Sequence, residues 1–224
     1  MIAIVTAMKE ESEILVKKYN LKTYKKFKNW TVFKGKLHKN EILLAFSGIG
    51  KIQCAMATTW ILENFGEKIT KLINIGIAGN TGKTSAKIGD VFLPKKFWQS
   101  DMYLPFDGSH LDYAKKSIEI TPKISEKTFK NFTLHTEGTC ATADRFVDNE
   151  AEIEDLKNRF EADVCEMEAF AFLSVAREYY VLEKCICIKS ISDGADSDAQ
   201  EVHMNNLEFA MKNGVEVLEK VLEV

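Results

Sequence analysis

The sequence predicts one α/β domain spanning residues 1–224, with a largely parallel sheet covered by helices on both faces. Three observations predict it. Short apolar runs rich in β-branched residues, such as "IAIVTA" and "CICIKSIS", alternate with stretches of helical period. Those runs are almost continuously apolar, as strands buried on both faces are. Only three prolines occur in 224 residues, and no repeat or low-complexity linker divides the chain.

The elements follow in order. Residues 2–7, "IAIVTA", read as a buried strand. "MKEESEILVKKY" sets Ile14, Leu15 and Val16 among charges, as an amphipathic helix does. The basic cluster "KKYNLKTYKKFKNW" (17–30) lies between a helix-like and a strand-like segment and reads as a solvated face. "WTVFKGKL" and "EILLAFS" are two strands of a hairpin joined through "HKNE". Residues 51–65, "KIQCAMATTWILENF", form a helix with Ala55, Thr59 and Leu62 on one stripe. "KLINIGIAG" is a buried strand ending in a glycine turn, and "IGDVFLPKKF" is another strand. Residues 100–125 read as loop with some helix. "DVCEM" is strand-like, "EAFAFLSVAREYY" helix-like, and "CICIKSIS" a buried strand. "VHMNNLEFAMKNGVEVLEKVLEV" closes the chain as a helix.

Composition excludes several classes. With 46% hydrophobic and 28% charged residues, the chain builds a core without disulfide staples. A formal net charge of -3 argues against a nucleic-acid surface. The cysteines (54, 140, 165, 185, 187) are odd in number, lack CxxC spacing and sit in apolar contexts, as buried free thiols do. The histidines (38, 110, 135, 203) show no metal spacing, so neither metal nor cofactor is expected. No charged leader precedes a long apolar stretch and no run is long enough to span a membrane. The expectation is a cytoplasmic protein without a membrane partner.

In open α/β sheets the ligand sits beyond the carboxyl ends of the strands. There the sequence places "AMKEE", "SGIGK", "GIAGNTGKT", "CATADRFVD", "EMEAF" and "SDGAD". Three of these turns carry a carboxylate able to share one crevice: Glu10 or Glu11, Glu166 or Glu168, and Asp193. Such a crevice suits a polyhydroxylated or cationic ligand. "GIAGNTGKT" superficially suggests a phosphate-binding loop, GxxxxGK[ST]. Counting back from Gly82, however, puts Ile77 where the first glycine belongs, and "SAKIGDVFLP" follows where a helix is required. That reading is rejected.

With "AMKEE", "SGIGK", "INIGIAGN", "IGDVFLP", "TADRFV", "VCEMEAFA" and "SISDGAD" in this order, the whole chain resembles the purine nucleoside phosphorylase superfamily. Within it, the chain is similar to the 5′-methylthioadenosine/S-adenosylhomocysteine nucleosidases. The resemblance implies a central mixed sheet, partly closed like a barrel and flanked by helices. It implies a homodimer whose partner helps cover the site. The implied reaction is hydrolysis of the bond between adenine and a ribose bearing a 5′-thioether, a small-molecule nucleoside. Asp193 matches the general acid at purine N7, Glu11 the base that activates water, and Glu168 the carboxylate that holds the ribose hydroxyls. Met167 packs on the ribose. Phe146 lies against the purine, and Val147 offers its backbone to the purine edge. Met8 and Ile49 line the ribose and thioether side, Ser192 supports Asp193, and Glu166 takes a supporting hydrogen-bonding role. Ile77 stands where the family often has serine, Asn80 where glycine is common, and Lys189 where arginine is frequent.

Plainer readings exist for single residues. Glu10, Glu11 and Glu13 suit the first turn of any helix, Asp193 before Gly194 suits a turn, and Phe170 suits the core. Among functions, a phosphorylase of this fold needs cations for phosphate. The chain has three arginines (145, 159, 177), none in the first turn or in the turn after "KLINIGIAG". A sister nucleosidase for futalosine or its 6-amino form is an alternative. A nucleoside-binding module without turnover needs no acid–base pair.

Overall fold

The computed structural model describes residues 1–37, 40–125 and 128–223. The chain opens with β1 (Ile2–Thr6), buried throughout, and α1 (Lys9–Tyr19). Strands β2 (Lys22–Lys26), β3 (Thr31–Leu37) and β4 (Asn40–Phe46) form an antiparallel meander. The expected β3–β4 hairpin is present, although His38 and Lys39 of its turn lie outside the described residues. Helix α2 (Lys51–Phe65) leads to the long β5 (Lys71–Asn80). Strands β6 (Val91–Phe92) and β7 (Lys96–Gln99), helix α3 (Asp112–Lys115), and strands β8 (Ile118–Glu119), β9 (Leu134–His135) and β10 (Thr139–Thr142) follow. Helix α4 (Glu150–Phe160), β11 (Val164–Glu166), α5 (Ala169–Glu178), β12 (Cys185–Asp193) and α6 (Ala199–Leu222) complete the fold.

All twelve strands belong to one mixed sheet that branches at β5. Residues Lys71–Asn74 of β5 pair in parallel with β1, and Gly79 and Asn80 pair antiparallel with β11. Its other edge pairs in parallel with β12 along most of its length. Among the described residues the pairings do not run round into a closed barrel. Parallel pairing joins β4, β1, β5 and β12, while β5–β11, β12–β6 and the margins formed by β2, β3 and β8 are antiparallel.

Helices α2 and α5 pack together on one face, over a core that includes Cys54, Ala57, Ile61, Phe172 and Leu173. Helices α1 and α6 cover the other, over Leu15, Ile75, Ile188, Met211 and Leu218. Burying apolar area at roughly 25 cal/mol per Å² is the main force holding these layers together. Among the described residues, no helix is long and apolar enough to cross a membrane, and no group of His, Cys, Asp and Glu is placed to hold a metal ion. The five cysteines are free and buried.

One expectation is met and two need correction. The basic cluster is solvated, and it also forms a strand: β2 is exposed at every position and pairs with β3 as the sheet edge. Lysine-rich edges of this kind discourage pairing with other chains. "IGDVFLPKKF" is two strands, interrupted at Pro94, which has no N–H for the ladder. The buried stripe of α2 is Cys54, Ala57, Thr58, Ile61 and Leu62, and Ala55 and Thr59 lie to its side. After β5 the chain turns through residues 81–90 into β6 with no helix, so the residues after Gly82 form no phosphate cradle.

Candidate active site

One cavity opens at the ends of β1, β5, β11 and β12. It is lined by Ala7, Met8 and Glu11 beside α1, Ile49 before α2, Ile77–Gly79 of β5, Arg145–Val147 after β10, Cys165–Glu168, Asp193, and His203 of α6. It therefore brings together every sequence-predicted site residue except Ser192, which is fully buried behind Asp193.

Glu11 lies in the first turn of α1 and points inward, 2% exposed, whereas Glu10 faces solvent. Its Oε2 accepts the Ala7 and Met8 N–H groups at 3.0 and 2.9 Å, and its Oε1 accepts the Ile77 N–H at 3.0 Å. Burial raises its pKa; the three backbone bonds and the more distant Lys189 cation counter this only in part. The result is a held carboxylate of increased basicity. Gly76 permits the approach, since a Cβ there would meet Glu11 Oε1 at 2.8 Å. Ile77 contributes to the site through its backbone, so the missing serine hydroxyl does not loosen Glu11.

Asp193 ends β12 where the register with β5 shifts between Ile191 and Asp193, leaving Asp193 opposite Gly79. Such irregularities re-aim a side chain at the end of a ladder. Asp193 Oδ1 accepts the Ala195 N–H at 2.9 Å, and Oδ2 accepts the Ser192 hydroxyl at 2.7 Å. Ser192 therefore acts on Asp193 and does not form part of the cavity wall. Cys165 Sγ and Ala195 close the back of this corner against Gly79.

Glu166 and Glu168 divide their work. Glu166 accepts the Thr142 hydroxyl at 2.5 Å, the Lys189 ammonium at 2.5 Å, and the N–H groups of Glu168 and Ala169 at about 3 Å. It thus caps α5 and neutralises a lysine that is 1% exposed. Burial alone would raise the Glu166 pKa, but the Lys189 charge and these hydrogen bonds hold it below the usual range. Burial likewise works against the Lys189 charge, yet the attraction of Glu166 and then Glu168 keeps it above the usual lysine range. Glu166 borders the cavity with its carboxylate already committed.

Glu168 is different. Its Oε1 accepts the Gly50 N–H at 2.8 Å, and among the described residues Oε2 has no hydrogen-bond partner. Burial and then repulsion from Glu166 push its pKa up to about 8. Gly50 sits at φ +95°, a region costly for a residue with a Cβ, and its turn is pinned by Asp144, whose Oδ1 accepts the Lys51 N–H at 2.7 Å. Glu168 is thus held by one oxygen, leaving the other for a ligand.

The buried pair makes a testable prediction. Lys189→Met strands Glu166 beside two other carboxylates, and breaking a buried pair costs about 3–5 kcal/mol. Urea unfolding is expected to show a loss of that order, with Lys189→Met/Glu166→Gln recovering much of it. Equal stability of Lys189→Met and the parent protein would contradict the assignment.

Sequence reasoning missed Arg145 and His203 on the cavity wall. Arg145 pairs with Glu152 at the mouth. His203 lies ten residues past Asp193, and the only available signal was that a helix starting right after "SDGAD" must cross the strand end.

The phosphorylase superfamily model matches residues 1–223. The 5′-methylthioadenosine/S-adenosylhomocysteine nucleosidase of Buchnera aphidicola subsp. Baizongia pistaciae is 31% identical, covering 99% of this chain and 89% of that protein. The aminodeoxyfutalosine nucleosidase of Campylobacter jejuni is also 31% identical, over 89% of this chain and 88% of that protein. The solved Neisseria meningitidis 5′-methylthioadenosine/S-adenosylhomocysteine nucleosidase, in complex with methylthio-immucillin-A, superposes with a TM-score of 0.82 at 26% identity, covering 99% of this chain and 98% of that one.

Proposed function

The chain belongs to the phosphorylase superfamily and is a hydrolase of N-glycosidic bonds, and from that premise we propose that it releases adenine from 5′-methylthioadenosine and S-adenosylhomocysteine. The observation that carries this reading is one cavity lined at once by Glu11, Glu168 and Asp193, with Phe146 and Met167 as apolar surfaces. Breaking an N-ribosidic bond develops positive charge on the sugar and negative charge on the purine. Asp193, protonated, gives its proton to purine N7 as the bond to C1′ breaks and the bonding pair stays with the base. Glu11 takes a proton from the water that adds to C1′. Glu168 Oε2 accepts the ribose hydroxyls and, once ionised, stabilises the cationic ring. Phe146 stacks on the purine beside the Val147 backbone, Met167 lies under the ribose, and Met8 and Ile49 flank the 5′ substituent. No step calls for a cofactor.

A second reading is hydrolysis of 6-amino-6-deoxyfutalosine. It is supported by the equal 31% identity to an aminodeoxyfutalosine nucleosidase and to a methylthioadenosine/S-adenosylhomocysteine nucleosidase. Comparing kcat/KM for the three nucleosides separates the readings: the thioethers are expected to lead, and a preference for the futalosine derivative by tenfold or more would reassign the substrate. A phosphorylase is disfavoured, because Arg145, Arg159 and Arg177 are paired with Glu152, Asp155 and Glu178.

The same reading includes a homodimer. Ile49 before α2, with Ile52 and Met56 on it, exposes an apolar strip beside the cavity mouth. Light scattering is expected to give twice the 25.4 kDa chain mass, and a monomer at micromolar concentration would contradict it.

A further inference from the structure

His203 touches the proposed acid, yet the chemistry above gives it no task. It stands on α6 where the helix crosses the end of β12. Its Nδ1 lies 3.4 Å from Asp193 Oδ2 and 3.4 Å from Ser192 Oγ. Its ring packs edge-on against Phe146, with centroids 5.4 Å apart. The side chain is 15% exposed, while that of Asp193 is 3% exposed.

This arrangement answers a proton problem. Every turnover takes a proton from Asp193 and leaves one on Glu11. Asp193 is nearly sealed from water, more so when a nucleoside fills the cavity. Its protein contacts are the Ala195 amide, the Ser192 hydroxyl and the His203 ring. Of these only an imidazole exchanges protons readily near neutral pH.

The geometry points to His203 as the positioning residue that reloads Asp193 with its proton, an inference that rests on the nucleosidase reading. After Asp193 protonates the purine and the C1′–N bond breaks, the Asp193 carboxylate takes a proton from Nδ1 of the imidazolium. The ring, still N–H at Nε2 and bare at Nδ1, turns about its Cβ–Cγ bond and takes a proton from solvent at the bare nitrogen, while Glu11 returns one to solvent, so protons balance over the cycle. The charged groups lining the cavity with the ring are Asp193 of β12, Glu11 of α1, Glu166 of β11, Glu168 before α5, and Arg145 of the loop after β10, itself tied to Glu152.

The test is adenine release from 5′-methylthioadenosine by the parent enzyme, His203→Phe and His203→Gln, from about pH 5.5 to about 9. In both variants kcat is expected to fall about 10-fold above neutrality and to approach the parent value at the acid end. KM should stay within about 3-fold, and free imidazole in the buffer should restore part of the lost kcat. Parallel pH profiles, or a loss confined to KM, would overturn the inference and make the ring a wall of the purine site. No adenine from the parent enzyme at any pH would instead remove the methylthioadenosine reading on which the inference rests.

Discussion

Asp193→Asn is expected to lower kcat by about 10³-fold while adenine binding changes only a few-fold. The substitution keeps the shape of the side chain. The Ala195 N–H still finds an oxygen, and the Ser192 hydroxyl can turn to accept from the new amide, so the corner of the cavity stays built. What is lost is an acidic proton at the purine. Without it, adenine must depart as an anion, and stacking on Phe146 does nothing to relieve that. Steady-state kinetics with calorimetric titration of adenine separates the two effects. A kcat within about tenfold of the parent value would remove Asp193 from the acid role.

Glu11→Gln is expected to cost about 10²–10³-fold in kcat and some stability as well. All three of its present partners are backbone donors, at Ala7, Met8 and Ile77. A glutamine amide must turn its NH₂ toward at least one of them, leaving a buried donor facing a donor at a cost of about 1–3 kcal/mol. The pH dependence has a definite sign. Because the folded-state pKa of Glu11 is raised, the acid side of the kcat profile is expected above the ordinary glutamate range. The same raised values set the stability of the ligand-free fold. Glu168 rises from 4.5 to about 8, so its contribution is fully present below the lower value and is lost as pH climbs through the upper one. Parent-level turnover in Glu11→Gln would show that another group activates the water.

Apolar continuity made most of the fold legible. Strands β1, β5 and β12 are buried along almost their whole length, and the sequence shows this directly. Strand β2 was hidden because its five residues are all exposed and show no apolar alternation. Helix α4 is not legible in the sequence because its acidic and basic residues leave only Ile153 and Leu156 to mark a buried face. The α2 stripe is hard to place from sequence because Ile52 and Met56 are apolar yet exposed, which blurs the helical period.

The site divides in the same way. Glu11 and Asp193 were legible as strand-end carboxylates. Choosing Glu11 over Glu10 required the family resemblance, since adjacent residues in a first turn share one local signal. The two carboxylates of "EME" had different fates that local sequence could not reveal. Glu166 is explained by Lys189, 23 residues away on β12, and Glu168 by Gly50, 118 residues away. Long-range partners of this kind leave no periodic trace. A lone histidine on a closing helix carries no local signal, and only the crossing of α6 over β12 puts His203 on Asp193.

The most direct test of the account is ultraviolet-monitored adenine release from 5′-methylthioadenosine in chelator-treated buffer without phosphate. The account predicts multiple turnovers, with no stimulation by added phosphate or divalent metal. Release only after phosphate is added would contradict it, making the enzyme a phosphorylase and the pairing of its three arginines irrelevant to the chemistry.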